Sequence, residues 1–175
     1  MPRADGARAP ACGFTLIELL VVLAIVAAML AAVTLSVGGT GARRLENAAR
    51  GMQAAMALAC ERAQVTGRDY GVDLSGGLFR AGPLRAQAWQ PLDGASGDPL
   101  RTRAIDAGVE LRLRRDGRPF PLAKVASPRP ALACHASGEL TPFELELRSP
   151  DVAARWLLHG DLGGTLALER IDEAG

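Results

Sequence analysis

Four side chains in the C-terminal two-thirds of the chain could support metal or nucleophilic chemistry. They are two cysteines, Cys60 and Cys134, and two histidines, His135 and His159. Together they could form a ligand set for zinc, which binds thiolate sulfur and imidazole nitrogen. Cys134 and His135 are adjacent in a predicted strand, however, so their side chains point to opposite faces and cannot easily share one ion. Because the sequence also lacks C-x-x-C and H-x-x-x-H spacing, we expect no metal and no other cofactor.

Catalysis by these residues is not expected either. A nucleophilic pair of Cys134 and His159 would need a third group to orient the histidine and an oxyanion site, and the sequence indicates neither. Ser137 lacks the G-x-S-x-G setting in which many hydrolases hold their serine. We therefore expect no catalytic residues, and we expect that the chain is not an enzyme.

Glu18 is a different kind of candidate, because it is the only charged residue in a long apolar segment, residues 14–37. As a helix this segment would be about 36 Å long, enough to span a bilayer core of about 30 Å. A charged group at mid-bilayer costs about 2.5–3.5 kcal/mol, so a carboxylate there indicates either a positively charged partner in an assembled state or a side chain that reaches the interface. The apolar core of a cleavable secretory signal, at about 7–15 residues, is shorter than this segment. We predict a transmembrane helix over residues 14–37, with Glu18 near its start.

The composition excludes other classes of protein. The 175 residues include 20 Lys+Arg against 19 Asp+Glu, and the resulting net charge of +1 gives no bulk attraction to nucleic acid or to anionic lipid. Hydrophobic residues make up 49% of the chain and charged residues 22%, which excludes wholesale disorder. The length suits one domain with an appendage rather than two full domains.

A second helical segment is predicted beyond the apolar one. The glycine-rich residues 38–41 are expected to kink or hinge the helix, because glycine weakens it. Residues 44–65 then repeat small and apolar side chains along one face, and the predicted helix ends at Thr66 and Gly67. The buried face is expected to contain Leu45, Ala49, Met52, Met56, Ala59 and Ala63, with Asn47, Arg50, Ala54, Ala57 and Glu61 opposite.

Beyond residue 68, short alternating runs separated by turn residues predict β-strands. We place them near residues 70–74, 78–81, 88–92, 102–105, 109–114, 131–134, 143–148, 156–159 and 166–171, with turns at 75–77, 116–117 and 160–164. The proline-rich stretches 118–121 and 127–130 are predicted to be loops or edges. The expected fold class is α+β, with a long N-terminal helix packed on an antiparallel β-domain that comprises two small sheets.

The start of the apolar segment resembles that of a known group of proteins. The sequence GFTLIELL at residues 13–20 resembles the cleavage site and helix start of type IV prepilins and type II secretion pseudopilins. The resemblance implies that a prepilin peptidase cuts between Gly13 and Phe14 and that the Phe14 amine is then N-methylated. Glu18 would neutralise the Phe14 amine of a neighbouring subunit in a filament. The resemblance therefore implies that the chain has four segments. They are a cleaved leader (1–13), a transmembrane helix (14–37), a hinge and amphipathic helix (38–67), and a periplasmic β-domain (68–175).

Two further segments narrow the resemblance. The sequences MALACERA (residues 56–63) and ASGELTPF (residues 136–143), the latter followed by Trp156, are similar to the H-type minor pseudopilins of type II secretion, the GspH/FimT group. This implies the pseudopilin fold and a structural subunit, near the tip of a periplasmic pseudopilus that drives export of folded proteins across the outer membrane. The implied partners are other minor and major pseudopilins, the prepilin peptidase and the inner-membrane assembly platform, and not nucleic acid. The implied location is the bacterial inner membrane, crossed once, with the C-terminal domain in the periplasm.

A minor pilin of the type IV pilus, including the FimT-like ones that bind DNA, is the main alternative. DNA capture needs a basic patch. Arg112, Arg114, Arg115 and Arg118 cluster in sequence, and strand spacing places Arg112 and Arg114 on one face. Residues 168–175 (LERIDEAG) are acidic, however, and one such cluster in a neutral domain is more often an ordinary solvated face.

The resemblance also bears on the cysteines. If Cys12 is removed with the leader, Cys60 and Cys134 form one pair in an oxidising periplasm, where a disulfide can form. Cys60 lies at the edge of the helix's apolar face, from which it could reach a strand beneath. Two buried free thiols are the alternative.

Overall fold

The structure is a computed structural model that describes residues 16–85, 88–93 and 97–172. The predicted leader (residues 1–13) and the predicted cleavage pair, Gly13 and Phe14, lie outside these residues. The side chains at positions 30–39 and 88 lie outside them as well.

The described residues contain one long helix and ten strands. Helix α1 spans Leu16–Thr66. The chain divides into two compact units, Met1–Gly39 and Thr40–Gly175. The strands, all in the second unit, are β1 (Tyr70–Asp73), β2 (Leu78–Arg85), β3 (Ala88–Trp89), β4 (Arg103–Ala104), β5 (Glu110–Arg115), β6 (Arg118–Phe120), β7 (Leu132–Cys134), β8 (Phe143–Ser149), β9 (Val152–Gly160) and β10 (Leu166–Asp172).

Helix α1 continues without a break through the glycine-rich residues 38–41. The hinge expected at these residues stays a prediction. Glycine in a helix interior costs only about 1 kcal/mol relative to alanine, and good helix formers on both sides can carry the helix through. The boundary between the two compact units does fall at this point, at Gly39 and Thr40.

The C-terminal end of α1 is where the sequence placed it. Gly67 has a φ of +63°, a conformation that residues with a Cβ rarely adopt. The N–H of Arg68 donates to the carbonyl of Ala63 (3.1 Å), and the N–H of Gly67 donates to that of Gln64 (3.3 Å). This pair of bonds is a Schellman motif, which satisfies the last carbonyls of the helix and turns the chain toward β1.

The strands of the described chain form two antiparallel sheets of five strands each. The first has the order β3-β2-β1-β7, with β4 also paired to β2, and the second has the order β10-β9-β8-β5-β6. The predicted α+β class with two small antiparallel sheets is therefore confirmed.

The connection between β5 and β6 shows how local sequence sets the pairing of strands. Asp116 (φ 52°) and Gly117 (φ 73°) form the two-residue turn between β5 and β6, which pair from Arg115 and Arg118 onward. Positive φ at both central residues is the type I′ geometry that suits hairpins and that an Asp-Gly pair readily adopts. Strand β6 contains Pro119 and lies at the edge of its sheet, where the missing N–H is tolerated, as predicted for this stretch.

The core of the second unit lies between α1 and the sheets. All six residues of the predicted apolar face of α1 are at most 5% exposed, and Phe143, Leu145 and Leu147 of β8 alternate with partly exposed charged residues. The five residues predicted on the opposite face of α1 are exposed. Since Ala49, Ala59 and Ala63 are completely buried, small side chains let the sheets approach the helix closely.

In the first unit, the side chains of residues 16–29 are exposed. Among the described residues, no helix combines the length and the apolar character needed to cross a membrane. The transmembrane segment predicted at residues 14–37 extends partly outside the described residues and stays a prediction.

Candidate functional site

Glu18, the residue predicted to act in filament assembly, lies on α1 in the first unit with its side chain exposed. The large side chains beside it, Leu16 and Ile17, are 77% and 71% exposed. A carboxylate in such a position can accept a charge-assisted hydrogen bond from an ammonium group. Its predicted partner belongs to another subunit, so the role of Glu18 stays a prediction.

The two cysteines meet at the C-terminal part of α1. Cys60 of α1 and Cys134 of β7 are joined by a disulfide, with an Sγ–Sγ distance of 1.98 Å and a Cα–Cα distance of 4.9 Å. Both are buried, at 7% and 1% exposure. Strand β7 is only three residues long and pairs with β1 through Tyr70, opposite Cys134. The bond thus attaches a short edge strand to the helix.

A polar contact lies next to this disulfide in sequence. Asp69 joins the segment after α1 to the turn after β7, because its Oδ1 accepts the N–H of Ala136 (2.8 Å) and its Oδ2 lies 3.1 Å from Nδ1 of His135. These hydrogen bonds, that of the Ala136 N–H first, hold the pKa of Asp69 below its ordinary value. His135 therefore serves a structural contact.

The four side chains considered for metal chemistry do not form one ligand set. Cys134 is held in the disulfide, His135 contacts Asp69, and His159 lies on β9 opposite Glu144 of β8. No group of three or more His, Cys, Asp or Glu residues in the described part of the chain is arranged to hold a metal ion. A disulfide sulfur is neither a thiolate ligand nor a nucleophile.

Sequence reasoning missed an ion pair that anchors the loop after β3 to α1. Nη1 of Arg62 donates to Oδ2 of Asp98 (2.7 Å), and Oδ1 of Asp98 accepts the N–H of Leu100 (2.9 Å). Leu100 is completely buried. The Arg62 hydrogen bond is the main cause that lowers the pKa of Asp98. No motif in the sequence links positions 62 and 98, so no local signal could have found this pair.

The arginine cluster is divided between two faces of the second sheet. Arg112 and Arg114 are exposed on one face, as predicted, on either side of the buried Leu113. Arg115 lies on the other face, where its Nη1 donates to the carbonyl of Ala131 (3.1 Å) and its guanidinium stacks on the Phe120 ring (4.5 Å). The four arginines do not form a single patch.

The segments that carried the H-type resemblance have structural roles. Residues 135–138 form a turn, closed by the Gly138 N–H to His135 carbonyl bond (3.0 Å), before strand β8 begins at the buried Phe143. Trp156 is partly buried against the core, with the guanidinium of Arg50 5.9 Å from its ring. Such residues mark a fold rather than a reactive centre.

A long N-terminal helix whose C-terminal part packs against a domain of two antiparallel sheets is the architecture expected of the pilin-like class of proteins. Residues 8–34 match the prokaryotic N-terminal methylation motif, and residues 48–164 match the family profile of the type II transport protein GspH. The chain belongs to the type II transport protein GspH family.

Two similar proteins support this family assignment. The type II secretion system protein H of Pseudomonas aeruginosa is 30% identical over 153 residues, which cover 79% of this chain and 85% of that protein. The protein H of Aeromonas hydrophila is 30% identical over 173 residues, which cover 92% and 94%. The resemblance to H-type minor pseudopilins is confirmed, and the chain is a minor pseudopilin of type II secretion.

Solved structures share the fold. The crystal structure of the minor pseudopilin EpsH from the type II secretion system of Vibrio cholerae has a TM-score of 0.61 at 22% identity and covers 76% of this chain and 98% of that one. The solution structure of Escherichia coli GspH has a TM-score of 0.55 at 23% identity, with 73% and 88% covered. The family consists of structural subunits, and membership implies a membrane-anchored periplasmic protein that contacts other pseudopilins in a pseudopilus.

Proposed function

We propose that this chain acts near the tip of the periplasmic pseudopilus, whose assembly drives folded proteins across the outer membrane. The observation that carries the proposal is the presence, on one chain, of an N-terminal methylation motif at residues 8–34 and a GspH domain at residues 48–164. The first would bring the subunit into the filament, and the second would contact the other minor and major pseudopilins. Its work is assembly rather than catalysis.

Maturation of the chain follows from the same motif. A prepilin peptidase would cut between Gly13 and Phe14 and methylate the new Phe14 amine on the cytoplasmic side of the inner membrane. The helix over residues 14–37 would then hold the subunit in that membrane, with a single crossing and the β-domain in the periplasm, until the assembly platform extracts it. Intact mass of the chain from the native host tests this step: we expect the mass of residues 14–175 plus one methyl group. A mass that includes residues 1–13 would refute it.

Glu18 would position the subunit within the filament by accepting the Phe14 amine of a neighbour. Pairing of this carboxylate with an ammonium group would neutralise both charges within the apolar core of the filament. Glu18→Ala is expected to leave cleavage intact and to reduce incorporation into filaments. The matched control is Glu61→Ala, which removes an exposed carboxylate from the same helix within the second unit. Wild-type secretion by the Glu18→Ala variant would show that the proposed role is wrong.

A clean deletion of the gene for this chain in the native host distinguishes a role in secretion from a role in DNA uptake. The deletion strain is assayed for release of exoproteins and for transformation. We expect exoproteins to accumulate in the periplasm while transformation is unchanged. The separation of Arg112 and Arg114 from Arg115 on opposite faces supports this expectation, because DNA binding needs a continuous basic surface. Loss of transformation with normal secretion would instead favour the FimT-like pilins.

A further inference from the structure

A groove of about 320 Å³ runs beside α1 within the second unit. One wall is the helix at Arg44, Asn47 and Gly51, and the other includes Phe79 and Arg103 of strands β2 and β4. Asp106 is the one acidic residue that lines it, and its Oδ1 already accepts the N–H of Gly108 at 2.9 Å. The lining side chains therefore carry two positive charges and one negative charge, a net charge of +1.

Arg103 lies at the edge of this groove in an unusual environment for an arginine. Its guanidinium is 4.5 Å from the centre of the Phe79 ring, which is completely buried. Its Nη1 donates to the carbonyl of Pro99 (3.0 Å), and its Nη2 donates to that of Gly51 (3.4 Å). These bonds use two of the five N–H donors of a guanidinium and provide no negative charge.

Two other half-buried arginines differ from Arg103 in one respect. Arg62 and Arg80 each lie within 4.0 Å of a carboxylate oxygen, whereas no carboxylate of the described residues lies that close to Arg103. Burial is the main cause that lowers the pKa of Arg103, and the neighbouring Arg101 lowers it further. Burying a charge without an opposite one costs free energy, so an added carboxylate would be stabilised here.

Gly51 gives the groove room for such a group. A Cβ built on Gly51 would meet nothing within 4 Å, although this residue lies within a helix that borders the groove. The space is therefore open to an incoming side chain, immediately beside the guanidinium that binds the Gly51 carbonyl.

We infer that this groove, bordered by Arg44, Gly51 and Arg103, binds a carboxylate side chain of a neighbouring pseudopilin. The inference rests on the proposed function, because it is in the filament that another subunit lies against this domain. A Glu or Asp side chain suits this groove because its two carboxylate oxygens can both accept hydrogen bonds from the guanidinium of Arg103.

Two substitutions in the full chain test the groove independently, so that the test does not fail if one of the variants does not fold. Arg103→Gln removes the charge, and Gly51→Gln fills the space from the helix while keeping the arginine. Arg68→Gln, which removes an exposed arginine that does not line the groove, and Ala57→Gln, at an exposed position on another side of α1, are the controls. Each variant carries the photo-reactive residue p-benzoylphenylalanine in place of Asn47, and covalent products are collected in the native host. Thermal unfolding of each purified variant identifies any that fails to fold.

The expected result is a crosslink from position 47 to another pseudopilin, mapped by mass spectrometry to a segment that contains Asp or Glu. Arg103→Gln and Gly51→Gln should each reduce its yield, by up to about the fivefold loss of affinity that follows removal of an ion pair at a partly exposed site. The two controls should leave the yield unchanged.

Other outcomes separate this inference from the proposed function. If secretion needs the chain but the groove variants crosslink and secrete as the wild type does, the docking site is wrong and the pseudopilin role stands. A crosslink to nucleic acid, or to a segment without acidic residues, would also overturn the site. If secretion is unaffected by deletion of the chain, the proposed function and the inference both fail.

Discussion

Removal of the disulfide between Cys60 and Cys134 is the perturbation whose effect can be worked out most fully. The two residues are 74 positions apart, so the bond closes a loop that contains strands β1 to β6 and ends in β7. In the chain-entropy description, a loop of this length restricts the unfolded chain by about 4.5 kcal/mol. This is an upper figure, because the unfolded chain retains some structure.

The expected shift in melting temperature follows from the size of the folded part. For a unit of about 130 residues, 4.5 kcal/mol corresponds to a decrease of about 15 °C. We expect Cys60→Ala/Cys134→Ala and the reduced wild type to melt lower than the oxidised wild type by about this amount. Agreement between the double variant and the reduced protein separates the covalent bond from the packing of two buried sulfur atoms.

Hydrogen exchange of backbone amides would show which part of the fold loses stability when the disulfide is removed. Strand β7 pairs with β1 over only three residues, and the disulfide is its covalent attachment to α1. Protection of the Leu132 and Ala133 amides should therefore fall more than that of β8 and β9, which lie in the other sheet. If oxidised, reduced and double-variant proteins unfold within about 1 kcal/mol of one another, the loop-closure argument is refuted. If gel mobility of the protein from the native host does not change on reduction, the bond does not form there.

Two further predictions concern stability. Arg62 is the main cause of the lowered pKa of Asp98, so the carboxylate stabilises the fold above its unfolded-state pKa, and this contribution is lost as the pH falls through the lower folded-state value. In urea unfolding, Asp98→Asn should cost about 1 kcal/mol at pH 7 and progressively less below about pH 4, whereas an equal difference at all pH values would contradict this. Gly160→Ala should destabilise by about 3 kcal/mol because its Cβ would lie 2.2 Å from Cε1 of Phe143, while Gly51→Ala, with nothing within 4 Å, should stabilise by about 0.5–1 kcal/mol. Similar effects at the two glycines would contradict the packing seen around them.

The parts of the fold that were predictable depend on local patterns. The apolar face of α1 repeats at helical spacing from Leu45 to Ala63, and each strand predicted beyond residue 68 is present with shifted ends. The Asp116 and Gly117 turn was readable because two adjacent residues suffice to define it. Local sequence does not decide whether α1 bends at residues 38–41, because the effect of a glycine on a helix depends on the strength of the helix on both sides.

The candidate sites were less predictable, because they join residues far apart in sequence. Arg62 and Asp98 are separated by 36 positions, and Arg103 and Gly51 by 52. The environment of Arg103 exists only once β4 pairs with β2 and Phe79 is buried beneath it. Composition and periodicity describe neighbours along an element and carry no information on such pairs.

The arginines of β5 show how pairing changes the meaning of a charge pattern. In sequence they form a basic cluster, yet strand β8 places Glu146 opposite Arg112 and Glu144 opposite Arg114. Nη1 of Arg114 lies 3.3 Å from a carboxylate oxygen of Glu144. Charges of opposite sign this close cancel at distances beyond a Debye length of about 8 Å, so this face offers a phosphate backbone little long-range attraction. This face does not form a basic surface large enough to release many counterions from DNA. The Arg112→Ala/Arg114→Ala variant should therefore bind DNA as weakly as the wild type does. The slope of DNA affinity against salt concentration, measured for both proteins, should be the same.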